Sequence, residues 1–110
     1  MRALSGYRLM WVMTLFDLPV VTKPERKRAT AFRNFLLDQG FEMVQFSVYA
    51  RFASGRERAE SITRKIGAAV PTDGKVDILY FTDKQYEQIV SYRGKSQGPR
   101  PIRPDQLALF

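Results

Sequence analysis

Leu9 to Phe16 (LMWVMTLF) is almost continuously apolar. A strand with one wet face alternates apolar and polar residues; this one does not, so both of its faces are covered. In a chain of 110 residues, helices can cover one face. The other needs a partner, most simply a second copy.

The rest of the chain supplies those helices. Thr22-Lys23-Pro24-Glu25 reads as a capping box, and Pro24 is tolerated in the first turn. Ala29, Phe32 and Leu36 form an apolar stripe, widened by Phe35, and Gly40 is the natural stop. Phe41 to Phe52 alternates but is long for one strand, so two short strands with a tight turn near Gln45 to Ser47 are expected. Ser54-Gly55-Arg56-Glu57 reads as a second capping box, opening a helix with Ala59, Ile62, Ile66 and Ala69 on its apolar side. After a turn at Pro71 to Gly74, Val76 to Thr82 reads as a strand, with Val76, Ile78 and Tyr80 opposed to Leu79 and Phe81. Asp83 to Gln88 is a polar turn or short helix, and Ile89 to Tyr92 is expected to be a last strand.

This order is β-α-β(β)-α-β-(β). It predicts an α+β fold, a ferredoxin-like βαββαβ antiparallel sheet with both helices on one face, forming a homodimer through the other. Residues 1–92 are expected to be one nucleic-acid-binding domain. Residues 93–110 form a basic C-terminal tail ending in apolar Leu107 to Phe110.

Composition narrows the chemistry. Apolar content of 45% and aromatic content of 13% exclude wholesale disorder. The absence of cysteine removes disulfides, thiol nucleophiles and thiolate zinc sites. The absence of histidine removes the usual general base and the commonest metal ligand. A metal here needs oxygen ligands, which points to Mg2+ or Mn2+. A net charge of +7 implies affinity for polyanions, nucleic acid ahead of an acidic membrane. No run is long enough for a membrane span, and the N-terminal apolar run reads as a strand rather than a signal peptide. The expected location is the cytoplasm.

One carboxylate stands out. The first strand runs into Asp17-Leu18-Pro19, and Asp17 is the only acid among the first 24 residues. A basic helix, ERKRATAFRNFLL, follows. A lone Asp at a strand end beside Arg and Lys suggests a metal ion shared with phosphate. The plainer reading is an Asp capping the turn before Pro19. Arg26, Lys27, Arg28 and Arg33 are candidates for phosphate contacts; the plainer reading is a solvated helix face. Ser47 has no His to activate it, so it is not a nucleophile of the usual kind. Trp11, Phe46, Tyr80 and Phe81 read as core or dimer interface, and no aromatic RNA-binding signature occupies the strands.

Phe16-Asp17, then Leu36-Leu37-Asp38-Gln39-Gly40-Phe41, then Val44-Gln45-Phe46-Ser47-Val48-Tyr49 resemble the small CRISPR-associated endonuclease family Cas2. The resemblance spans roughly residues 8 to 92. The Asp17-Leu18-Pro19 form and the short tail look like members from single-effector (type II) systems. The resemblance implies a homodimer of ferredoxin-like domains that joins the CRISPR integrase in spacer acquisition, bridging integrase dimers and binding double-stranded DNA. It also implies that Asp17 holds Mg2+, or Mn2+, for endonuclease activity on RNA or double-stranded DNA. Ser47 and Tyr49 match positions of the family pattern. Phe16 stands where many members have Tyr, a departure that removes a hydroxyl able to position phosphate or water. The spacing from Asp17 to Arg26 and Arg28 also differs from shorter-looped members. Two non-enzymatic alternatives stay open: a scaffold with a vestigial site, and a nucleic-acid-binding domain outside CRISPR.

Overall fold

The structure is a computed structural model and describes residues 9–94. Its elements are β1 (Met10–Asp17), α1 (Lys23–Asp38), β2 (Glu42–Gln45), β3 (Val48–Ala53), α2 (Arg56–Ala69), β4 (Lys75–Thr82) and α3 (Asp83–Glu87). The strands form one sheet in the order β2-β3-β1-β4, with every neighbouring pair antiparallel. This is the expected α+β, ferredoxin-like arrangement. β1 is an interior strand, bonded to β3 on one side and β4 on the other.

Alternation sorts β1 into two faces. Val12 and Phe16 join Tyr49, α1 residues Ala29, Phe32 and Leu36, and α2 residues Ala59, Ile62 and Ile66 in the main core. Phe16 meets Phe32 edge-on at 5.3 Å. Trp11, Met13, Leu15 and Asp17 face the other way, beside Phe52, Leu79 and Phe81 from the neighbouring strands.

α1 begins as its sequence dictates. The Thr22 hydroxyl accepts the Glu25 N–H, and the Glu25 carboxylate accepts the Thr22 and Val21 N–H groups. Its end is a Schellman motif: Phe41 N–H bonds to Leu36 O, Gly40 N–H to Leu37 O, and Gly40 takes φ 88°. α1 has no basic residue in its last turn. Arg51 of β3 supplies that charge by donating to the carbonyl of Gln39. Burial pushes the Arg51 guanidinium below its ordinary pKa, and nearby Arg58 adds to the effect.

The Phe41 to Phe52 segment divides into β2 and β3 around Phe46-Ser47. Ser47 turns the chain with φ 64°, a left-handed conformation usually left to glycine. The turn is thus made by a left-handed residue without a glycine.

Three expectations need correction. Ser54-Gly55-Arg56-Glu57 is not a capping box: Gly55 is the N-cap of α2 and no side chain caps it. Starting at Arg56 puts the Ser54 hydroxyl one residue too early. The second capping box belongs instead to α3, between Thr82 and Gln85. Ile89 to Tyr92 forms no strand. A strand needs a bonded neighbour, and this segment leaves α3 without one; Tyr92 is 92% exposed. Finally, α3 covers part of the sheet face that was assigned wholly to a partner, because Tyr86 stacks on Trp11. The expected tail lies outside the described residues, apart from 93 and 94. Among the described residues, no helix is long and apolar enough to cross a membrane.

Candidate nucleic-acid and metal site

Asp17 is the last residue of β1 and is exposed on the sheet face opposite α1 and α2. Three local features hold it there. Phe16 N–H donates to Ser47 O at 3.0 Å, which ties the β2–β3 turn to the end of β1. Leu18 turns inward to 5% exposure. It packs against Gly74, where an added Cβ would come within 2.2 Å of Leu18 Cδ2. Beyond Leu18, the Arg26 guanidinium donates to Val21 O at 2.8 Å and Val20 O at 3.3 Å, closing the loop into α1.

The four basic residues read from sequence do not converge on one point. Arg26 and Lys27 line a shallow groove along the outside of α1 with Lys23, Thr30, Ala31 and Asn34. Arg33 is half-buried and follows Arg26 by about two turns. Arg28 lies about 200° around the helix from Arg26. It pairs with Asp73 at 3.1 Å, in the turn before β4.

Register brings in residues that sequence reading passed over. Asp17 stands directly across from Lys75 of β4. Asp77, two residues on, shares that face and pairs with Lys75 at 3.7 Å. Alternation carried back from Leu79 and Phe81 would have put Lys75 and Asp77 on one face. Their apposition to Asp17 depends on strand register, which no local pattern reports.

Phe16 also changes meaning. Its ring is buried toward α1 and lies 5.6 Å from the Tyr49 ring. A hydroxyl at position 16 would enter from the core side, while Asp17 faces away from it.

Among the described residues, no three His, Cys, Asp or Glu side chains cluster as a metal site. One exposed carboxylate still fits Mg2+, which keeps much of its water shell and is commonly held by one or two carboxylates plus substrate phosphates. Asp17 would hold it. An equivalent Asp17 in a second copy would complete a two-carboxylate set.

Comparison with known proteins places these features in a family. The family model described as CRISPR associated protein Cas2 matches residues 10–89. A protein of Paracidovorax avenae named CRISPR-associated endoribonuclease Cas2 is 54% identical over 107 residues, 97% of this chain and 99% of the relative. One of the same name from Flavobacterium psychrophilum is 43% identical, covering 97% of this chain and 93% of its own. The crystal structure of Streptococcus pyogenes Cas2 at pH 6.5 superposes with TM-score 0.58 at 17% identity, over 76% of this chain and 99% of that one. A second crystal structure of cas2 gives TM-score 0.55 at 23% identity, over 86% and 99%. At these identities the two structures speak for the fold alone.

Proposed function

The chain belongs to the CRISPR-associated Cas2 family, and from that premise we propose that it acts in spacer acquisition as a homodimeric nucleic-acid-binding bridge between integrase dimers. We propose further that it carries a Mg2+-dependent phosphodiesterase site at Asp17. Its similar relatives are named endoribonucleases, so RNA is the first substrate to test and double-stranded DNA the second. The observation that carries the reading is the exposed Asp17 carboxylate at the end of β1, in a chain whose helix α1, across the sheet from it, presents Lys23, Arg26 and Lys27 on its outer face.

The roles follow from charge. Asp17 would hold the cation. Lys23, Arg26 and Lys27 hold the nucleic-acid backbone without reading sequence, since phosphate contacts carry no base information. Bound Mg2+ would polarise the phosphate and orient a water for attack without a histidine. The Leu18–Gly74 contact and the Arg26 loop bonds keep the carboxylate outside the core.

The open sheet face supports the dimer. Phe52 and Leu79 are 38% and 40% exposed on it, beside Met13 and Leu15. A two-fold copy on this face would bring two Asp17 side chains to one groove.

One observation favours a second reading, a scaffold whose site does not cut. A single chain offers one Asp17, with a lysine directly opposite it. The test is cleavage of RNA and of duplex DNA by purified wild type and Asp17→Ala, with Mg2+ and with Mn2+. Metal-dependent cleavage lost in the variant supports the enzyme. Equal cleavage by both proteins refutes it.

A further inference from the structure

We propose that Lys75 is a phosphate-contacting residue of the Asp17 site, held in place by Asp77. This deepens the reading of Asp17 as the point where a phosphodiester is engaged, and rests on it. Asp73, Gly74 and Lys75 run from the turn into the start of β4. Asp73 pairs with Arg28 at 3.1 Å. Gly74 leaves the space that Leu18 fills. Lys75 is the register partner of Asp17. Opposed residues on one sheet face have Cβ atoms about 4.5–5.5 Å apart, well within the reach of a lysine.

Arg26, Lys27 and Arg28, three of the cations that the sequence suggested, lie on α1, across the sheet from the face that carries Asp17. Arg26 donates to Val20 and Val21 carbonyls, and Arg28 pairs with Asp73. Lys27 lines the outer groove of α1 with Lys23. Lys75 is the ammonium that register sets on Asp17's own face. A phosphodiester is anionic and is repelled by Asp17 unless a neighbouring cation offsets that charge. A flexible ammonium suits the task, because it approaches a phosphate oxygen as a point charge with no fixed plane.

Asp77 explains how Lys75 stays available. Their contact is 3.7 Å long, with side chains 77% and 63% exposed. Such a pair is weak and exchangeable. It draws the ammonium away from Asp17, which keeps that carboxylate open to a cation, and it releases the ammonium when a phosphate arrives.

The experiment titrates fluorescein-labelled duplex DNA, in EDTA and across a range of NaCl, with wild type, Lys75→Met and Lys75→Arg. Each is also combined with Asp17→Asn. All are whole chains first checked for wild-type melting. The slope of log affinity against log salt should fall in magnitude by about 0.9 in Lys75→Met and stay at the wild-type value in Lys75→Arg. The affinity gained by Asp17→Asn should differ about threefold or more between the wild-type and Lys75→Met backgrounds, as expected for residues sharing one phosphate. An unchanged slope in Lys75→Met, or strict additivity with Asp17→Asn, overturns the inference and leaves the wider reading standing. Wild-type protein that binds with no salt dependence overturns the wider reading, and this inference with it.

Discussion

The rings of Trp11 and Tyr86 lie face to face, with centroids 4.0 Å apart and planes 12° from parallel. The indole N–H of Trp11 donates to Asp83 at 3.0 Å. One residue at the start of β1 thus receives α3 through both stacking and a hydrogen bond. On the rest of that face Phe52 and Leu79 stay 38% and 40% exposed.

Tyr86→Ala should therefore loosen α3. The stack contributes about 0.5–1.5 kcal/mol beyond the area it buries. Unfolding by urea should show a loss of about 1–2 kcal/mol. Trp11 is the chain's single tryptophan, so its fluorescence reports the site alone. Emission should shift to the red in the variant; an unshifted spectrum would count against the stack.

Two substitutions separate association from folding. Leu79→Asp places a charge on the exposed apolar face and should shift sedimentation from dimer toward monomer with the circular dichroism of the fold retained. Val12 is 0% exposed on the core side, so Val12→Asp buries an unpaired charge and should abolish folding. Wild type that sediments only as monomer at micromolar concentration would refute the dimer.

Asp17→Asn preserves size and removes the charge that would hold a divalent ion. Metal-dependent cleavage should vanish while the melting temperature holds. Metal-free duplex binding should stay equal or tighten, since a repelling carboxylate is gone. Spacer integration with the partner enzyme should survive if bridging is the main role. Its loss in a well-folded, complex-forming variant would refute a pure scaffold.

Gly40→Ala tests the end of α1. Gly40 sits at φ 88°, and an added Cβ would lie 3.4 Å from Arg51 Nη1. Alanine pays the left-handed cost, while its Cβ would only touch the guanidinium that serves Gln39. Stability should fall by about 1 kcal/mol or more in chemical denaturation, with cleavage per folded molecule unchanged.

Local signals carried well into the structure. The Thr22–Glu25 box, the Ala29-Phe32-Leu36 stripe and the Gly40 stop all depend on residues within a few positions of one another, and all are present. The second capping box was misplaced because Ser54 and Gly55 are adjacent candidates, and only the helix start decides between them. The direction of Phe16 was legible in principle: neighbours on a strand point apart, so position 16 cannot share a face with Asp17. The Asp17–Lys75 apposition and the docking of α3 on Trp11 were not legible. Both arise where distant segments meet, and no periodicity in either segment encodes the register.

The interior position of β1 has a consequence for biosynthesis. Among the described residues β1 is the first strand to leave the ribosome, and it is bonded to β3 and β4, with Met10 opposite Ala53 on one edge and Thr82 on the other. α1, complete by Asp38, is available to cover one face before β3 is made. The second edge stays open until the final third of the described chain has been translated. A nascent chain stalled before Lys75 exposes an unpaired, apolar strand edge, the kind of surface that aggregates or recruits chaperones. The length of that exposure is therefore set by how quickly β4 is made.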